Sequence, residues 1–172
     1  MRKLTTKQLA LSAMLAALAL ALSYVEGMFP LPLPLPGFKL GLANIVTVFA
    51  LYALGAAQAL AILLVRVLLG AVFAGNASAL IFSLFGGLAA LGAMALLSRA
   101  GRLSVYGVSI GGAAAHNGGQ VCAAMLTLGS SAPLAYLPVL LLVSLFTGAL
   151  TGFTASLLFH ALRGADIVNT GS

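Results

Sequence analysis

Apolar runs follow one another along this chain with only short interruptions. Of its 172 residues, 62% are hydrophobic and 6% are charged, whereas a soluble domain carries roughly 25% charged residues. A bilayer core is crossed by helices of about 20 predominantly apolar residues, which pair their backbone polar groups internally. The sequence therefore predicts an all-α integral membrane protein, in which residues 1–172 form a single transmembrane domain.

Six transmembrane helices account for the order of apolar runs and breaks. The predicted spans are about 6–24, 40–54, 56–74, 78–97, 106–128 and 134–162. The first run follows basic residues, as the core of a signal peptide does. It is 17 residues long, however, and this exceeds the usual signal-peptide core of roughly 7–15 residues. We therefore expect it to remain as the first helix.

Basic residues flank the predicted helices on one side of the membrane. Before the first helix, between the fourth and fifth, and after the sixth lie Arg2, Lys3, Lys7, Arg99, Arg102 and Arg163. Short loops rich in Lys and Arg stay cytoplasmic, and an even number of helices puts both termini on the same side. We therefore expect both termini to be cytoplasmic. This pattern explains the net charge of +6 without nucleic acid as a partner.

A proline-rich segment connects the first two predicted helices. Pro30, Pro32, Pro34 and Pro36 alternate with leucines. Proline removes a backbone donor and favours extended structure in the residue before it. Irregular backbone at membrane depth is tolerated where it packs on protein or lines a cavity. We interpret this segment, which begins at Glu26, as a lid over a cavity, and a tight apolar hairpin is the alternative.

Alanines at four-residue spacing mark one face of the first helix. Ala13, Ala17 and Ala21 share this face because residues four apart are neighbours on a helix. Small residues let membrane helices approach each other closely. The face either packs inside this protein or docks a partner protein, and the motif does not distinguish the two uses.

Arg66 lies near the middle of the third span. A charge at that depth costs about 2.5–3.5 kcal/mol on insertion scales and by default indicates a functional site. The chain contains only two acidic residues, Glu26 and Asp166, and Asp166 lies in the C-terminal tail. Arg66 is therefore expected either to contact a ligand or to form an ion pair with Glu26.

The fifth span carries a second polar cluster at its centre. His116, Asn117 and Gln120 lie there beside two glycines, and polar side chains are costly in lipid unless they have partners. Lys39 and Arg66 would make a shared cavity positive, which suits an anionic ligand. The predicted ligand-binding residues are Lys39, Asn44, Arg66, His116, Asn117 and Gln120.

Several classes of activity do not fit the sequence. It contains no P-loop motif, so we expect no ATP binding by this chain itself. Its two acids cannot form the clusters that hold magnesium around a diphosphate, and His116 has no second His or Cys at a metal-binding spacing. We therefore expect no enzymatic activity, no metal and no cofactor. The single cysteine, Cys122, is expected to be a buried thiol.

Residues 36–47, the Gly75-Asn76 turn, residues 83–87 and residues 107–120 together resemble the bacterial Gx transporter family. That family is also labelled heptaprenyl diphosphate synthase component I. It is in turn similar to the substrate-binding S-components of energy-coupling factor (ECF) transporters. The resemblance implies six helices, a first loop that caps an outward-facing pocket, and a location in the bacterial inner membrane.

The same resemblance implies a function and its partners. It implies uptake of a small anionic or amphipathic molecule, powered by a membrane coupling subunit and cytosolic ATPases. An Ala-x-x-x-Ala face on the first helix of S-components docks the coupling subunit, and Ala13 and Ala17 match it. The alternative follows from the family label: a non-catalytic membrane accessory subunit in isoprenoid or quinone (heptaprenyl diphosphate) metabolism or in redox chemistry.

Overall fold

The computed structural model describes residues 5–28 and 39–163, and their regular structure is helical. The helices are α1 (Thr6–Gly27), α2 (Asn44–Leu54), α3 (Ala56–Ala74), α4 (Ala77–Arg99), α5 (Val105–Leu128) and α6 (Leu137–Arg163). A short 3-10 helix, Ala132–Tyr136, precedes α6. The predicted all-α fold with six helices is therefore confirmed for this part of the chain.

Four elements of the described chain are long and apolar enough to cross a membrane. They are α1, α3, α4, and α6 together with the 3-10 helix before it. The fifth helix, α5, has 24 residues but is more polar. The 11 residues of α2 extend about 16 Å at 1.5 Å per residue, roughly half the hydrocarbon core. These lengths are those of a multi-pass membrane protein that contains one half-length helix.

Two helix boundaries differ from the sequence prediction. The second helix begins at Asn44 rather than near residue 40, because Gly41 has a φ of 86°, which lies outside the helical region. The sixth predicted helix is divided into the 3-10 helix and α6. Pro138 is the second residue of α6, and proline is tolerated in a helix only in the first turn.

Glycines bring α4 and α5 into close contact. Gly112 on α5 faces Met94, and Gly119 faces the backbone carbonyl of Phe85, with only 2.5 Å between that oxygen and the place of an added Cβ. Because higher numbers on one helix meet lower numbers on the other, the two helices are antiparallel. Tyr106, near the start of α5, bonds Ser156 near the end of α6, and Asn117, in the middle of α5, bonds Leu140 near the start of α6. These two helices are therefore antiparallel as well.

The short helix α2 occupies the centre of the bundle. It contacts the other five helices, and residues 44–50 are all buried. Its start lies beside His116 near the middle of α5, because Gly41 faces that imidazole. Further along α2, Val48 packs with Met94 and Val108, near the end of α4 and the beginning of α5. The second helix therefore starts halfway along the bundle and runs toward that end.

Candidate functional site

Glu26 links the last turn of α1 to the start of α2. Its carboxylate accepts hydrogen bonds from the backbone N–H groups of Gly41 and Leu42, the second at 3.3 Å. These bonds lie just before Asn44, where α2 begins without a side-chain cap. A carboxylate near a helix N-terminus also offsets the positive end of the helix dipole. The sequence predicts Glu26 at the start of the lid, and the structure places it inside α1 instead.

Gln120 holds the same part of the chain from the side of α5. With its amide oriented toward these partners, its nitrogen donates to the Lys39 carbonyl at 2.9 Å and its oxygen accepts from the Lys39 N–H at 3.1 Å. An amide side chain can satisfy both polar groups of a backbone residue in this way. Residues 39–43, called here the connecting segment, are thus clamped between α1 and α5.

His116 packs between two glycines from different elements. A Cβ added at Gly41 would lie 3.1 Å from the imidazole Cδ2, and one added at Gly86 would lie 2.8 Å from its Cε1. The amide nitrogen of Asn44 also lies against Gly41, 2.7 Å from the place of its Cβ. His116 Nδ1 and both amide atoms of Asn44 are buried without a hydrogen-bond partner among the described residues. The glycines therefore make room for a buried polar cluster around the connecting segment.

Asn117 points to the other side of α5. Its amide nitrogen donates to the Leu140 carbonyl at 2.8 Å, near the start of α6. Its Oδ1 has no partner among the described residues. Asn117 therefore connects α5 to α6 and does not join the cluster around Gly41.

Arg66 is buried in α3, with 5% of its surface exposed. Its Nη1 donates to the Ser23 hydroxyl at 2.9 Å. Its Nε and Nη2 have no hydrogen-bond partner among the described residues. The charges of Arg66 and Glu26 are close enough to interact, but the Glu26 oxygens bind the α2 backbone. The described contacts therefore contain no direct ion pair between these two side chains.

A cavity of about 1010 Å³ lies between the end of α1, the end of α3 and the start of α4. We call it the α1–α3 cavity. Its described polar lining comes from Ser23, Glu26, Lys39 and Asn76. The rest of the described lining is apolar or small and comprises Ala17, Leu20, Ala21, Tyr24, Gly27, Met28, Gly70, Phe73, Ala74 and Ala79. The walls are thus mostly apolar, with three polar residues beside the last turns of α1 and one, Asn76, at the turn before α4.

Two cations and one carboxylate lie near the last turn of α1. The Lys39 ammonium and the Arg66 guanidinium are both close enough to the Glu26 carboxylate to interact with its charge. Lys39 and Glu26 line the cavity, and Ser23 joins Arg66 to its wall. Two cations against one carboxylate leave a net positive local charge, which favours an anion. The carboxylate oxygens are already hydrogen-bonded to backbone N–H groups.

The residues predicted from sequence separate into two groups. Lys39 lies at the cavity, and Arg66 lies directly behind its wall. Asn44, His116 and Gln120 surround the connecting segment, whereas Asn117 binds α6. None of these last four is in the described lining of the cavity. That all six contact ligand stays a prediction.

The structure describes the predicted docking face on α1 but not the predicted lid prolines. The predicted lid residues Pro30, Pro32, Pro34 and Pro36 lie outside the described residues. The three alanines predicted to dock a partner are exposed on α1, namely Ala13, Ala17 and Ala21. Within the described ranges, no three His, Cys, Asp or Glu side chains come close enough together to hold a metal ion.

The expectation for Cys122 was wrong, because its side chain is exposed. It lies beside a smaller cavity of about 460 Å³, near the turn that follows α5. Its neighbours in sequence, Val121 and Ala123, are buried. A lipid-facing position and a buried one have the same apolar sequence surroundings, so residue type did not distinguish them.

Two contributors to the site were missed in the sequence. Ser23 binds Arg66, and its spacing of three residues from Glu26 puts both on one helical face, which was a usable signal. Gly86 and Gly87 of α4 leave room for two side chains: Gly86 lies against His116, and Gly87 lies against Arg66. Those glycines belong to residues 83–87, which carry part of the family resemblance, but nothing local indicates which side chains they face.

Residues 15–158 match the family model described as heptaprenyl diphosphate synthase component I. No curated protein and no solved structure matches the chain. The family match covers most of the chain, including every described helix that contributes to the α1–α3 cavity. The chain therefore belongs to the heptaprenyl diphosphate synthase component I family.

Proposed function

We propose that this chain is a substrate-binding membrane subunit for uptake of a small anionic or amphipathic molecule, powered by separate coupling and ATPase subunits. The observation that carries the proposal is the α1–α3 cavity, with a volume of about 1010 Å³. Ligand pockets commonly measure about 300–1,000 Å³ and are mostly apolar with a few placed polar groups. The cavity has this size and this distribution of polarity.

Charge supports an anionic group on the ligand. Arg66 is always protonated and keeps two unpartnered N–H positions among the described residues. Lys39 adds a second cation at the cavity. An anion would pair with both, and charge-assisted hydrogen bonds of this kind are stronger than neutral ones.

The short central helix supports a transport role. Many membrane transporters build their sites from discontinuous helices whose half-helix N-termini face anionic groups. Here α2 starts halfway along the bundle, and a carboxylate already occupies its N-terminal side. In this proposal the chain itself catalyses no reaction, and ATP hydrolysis belongs to its partners.

The exposed alanine face of α1 supplies a surface for those partners. Ala13 lies on it and is outside the described lining of the cavity. Small residues at this position allow a partner helix to approach closely. The face is therefore the proposed contact with the coupling subunit.

The family description favours a second candidate. Heptaprenyl diphosphate synthase component I suggests a non-catalytic accessory subunit in isoprenoid or quinone metabolism, or in redox chemistry. Such a subunit would also use a cavity for an amphipathic anion. It would differ in its partners, which would be biosynthetic enzymes rather than ATPases.

Gentle purification from cells that contain the natural partners tests the proposal. Mass spectrometry of the tagged full chain should identify a bound small molecule together with a membrane coupling subunit and ATPases. Ala13→Leu should remove these partners, and Ala61→Leu, at an exposed position on α3, is the matched control. Recovery of a prenyl-transferring enzyme instead of ATPases would establish the accessory role and overturn the uptake role.

A further inference from the structure

The α1–α3 cavity opens through the side of the bundle. The two helices touch where Gly70 faces Leu20, with 3.6 Å between the Leu20 Cδ1 and the place of a Cβ on Gly70. Around this contact the cavity is lined by side chains that are also exposed on the outer surface, including Tyr24 at 68% and Phe73 at 70%. In a transmembrane bundle that outer surface faces lipid. Part of the opening is therefore toward the bilayer, and the lining also reaches the end of α1 and the turn between α3 and α4.

The length of the opening matches one leaflet. Its described lining on α1 extends from Ala17 to Gly27, which is about 15 Å at 1.5 Å per residue. This is roughly half of the 30 Å hydrocarbon core. Small residues leave the groove unfilled, since Ala17, Ala21 and Ala74 offer only methyl groups.

Ser23, Glu26 and Lys39 line the groove beside the last turns of α1, whereas Asn76 lines it at the turn between α3 and α4. Arg66 lies four residues before Gly70, which lines the cavity, so the two share a face of α3. The guanidinium reaches the wall through Ser23 and keeps Nε and Nη2 unpartnered among the described residues. Its Nη2 lies against Gly87 of α4, so Arg66 adds positive charge behind the wall, and Ser23 and Lys39 are the donors that line the groove.

We propose that the groove takes a membrane-borne amphiphile, which enters sideways from the lipid and places an oxyanion head group beside Lys39 and Ser23, in front of Arg66. A fully water-soluble anion would leave the apolar walls uncovered, whereas an apolar chain attached to the head group covers them. This inference rests on the proposed function, because it names the ligand class for the same cavity. The head group is a phosphate or a carboxylate, carried by a prenyl or an acyl chain.

Four probes separate head group from chain. The purified full chain in lipid nanodiscs is titrated with farnesyl diphosphate, farnesol, inorganic diphosphate and palmitate. Farnesyl diphosphate should bind at least about tenfold more tightly than farnesol, since a lost charged hydrogen bond corresponds to a tenfold or larger effect. It should also bind more tightly than inorganic diphosphate, which lacks the chain. Palmitate binding as tightly as farnesyl diphosphate assigns the site to any oxyanion amphiphile, and weaker palmitate binding assigns it to the phosphate.

Two variants test the two ends of the groove. Ala21→Leu adds three carbons at an exposed wall position and should weaken farnesyl diphosphate binding about tenfold, while Ala61→Leu leaves it unchanged. Arg66→Gln should reduce the preference for farnesyl diphosphate over farnesol. Melting curves show whether each variant is folded. If Arg66→Gln is not folded, the proposal is tested with Ala21→Leu.

The results distinguish this inference from the proposed function. Three outcomes would overturn the proposal that the ligand is an amphiphile. They are equal binding of inorganic diphosphate and farnesyl diphosphate, no binding of any probe, and normal binding by Ala21→Leu. A water-soluble ligand recovered together with ATPases would also overturn it, while leaving the uptake role intact. Amphiphile binding without any ATPase partner would support this inference and count against uptake.

Discussion

Arg66 and Ser23 form a buried hydrogen-bonded pair, and we expect substitution of the two residues to change the stability of the protein unequally. Ser23 supplies the described hydrogen bond to the guanidinium, so Ser23→Ala should destabilise the protein by about 1–3 kcal/mol by leaving a buried charge with fewer partners. Arg66→Met removes the charge and fills a similar volume, so stability should stay the same or rise, as when other buried charges are replaced. Thermal unfolding of both variants in the same nanodiscs measures this difference. Equal destabilisation by the two substitutions would instead support an ion pair between Arg66 and Glu26.

Gly86 sets the room available to His116. Gly86→Ala would place a Cβ 2.8 Å from the imidazole, and overpacking of this kind costs about 1–3 kcal/mol. Gly92→Ala on the same helix meets no atom within 4 Å and should be neutral or stabilising by up to about 1 kcal/mol, because alanine favours helix. Unfolding of both variants is the measurement.

A second substitution shows which neighbour causes the effect of Gly86→Ala. In a His116→Ala background the penalty should become smaller, since interacting substitutions are not additive. It should not vanish, because Gln120 Cγ also lies 3.0 Å from the place of the new Cβ. An unchanged penalty would mean that the imidazole is not the limiting contact.

Residue type predicted which polar residues matter but not what they touch. Arg66, His116 and Gln120 were identified because polar groups are costly in an apolar helix, and all three are buried. The partner of Gln120 is the backbone of Lys39, and no side-chain pattern indicates a backbone partner on a distant part of the chain. Contacts of this kind depend on how helices pack, which a single sequence does not state.

At the scale of elements, the connecting segment depends on Glu26. Glu26→Ala removes the acceptor of the Gly41 and Leu42 N–H groups and should destabilise the protein by about 1–3 kcal/mol per buried unsatisfied group. Glu26→Gln keeps one acceptor oxygen and should have a smaller effect. Hydrogen exchange followed by mass spectrometry should show faster exchange in peptides that cover residues 39–46.

Ser104→Ala is the control for a cap elsewhere in the bundle. Ser104 accepts from the Gly107 N–H at the start of α5, and loss of such a cap costs about 1 kcal/mol. Exchange should rise only near residues 105–108. Faster exchange across α2 in this control would show general loosening rather than a specific role of Glu26.

Helix number was predictable because each apolar run is bounded by clear breaks. Gly75, for example, separates α3 from α4 and has positive φ, and Gly55, the least distinct break in the sequence, has positive φ as well. The start of α2 was not predictable, because residues 40–43 are as apolar as the helix that follows. The position of this segment between Glu26 and Gln120 is what favours its turn over a longer α2.

For the whole molecule, the order of helices predicts which loops share a side. Leu103 lies in the loop after α4, and Ser130 lies in the turn after α5, and both are exposed. Cysteines at these two positions in a Cys122→Ala background should react with a membrane-impermeant reagent from opposite sides, with position 103 cytoplasmic. Labelling of intact cells and of inverted vesicles gives the two measurements. Reaction of both positions from one side would contradict the six-span arrangement.

The central place of α2 has a consequence for how the protein enters the membrane during synthesis. Chains emerge N-terminus first, so residues 39–54 are made well before α5, whose Gln120 binds the connecting segment. In lipid alone, each unpaired backbone group of that segment costs several kcal/mol. A half-length helix also gains little from insertion by itself. We therefore expect the second helix to stay at the membrane surface at first. It should insert into the bundle only when the fourth, fifth and sixth helices have assembled.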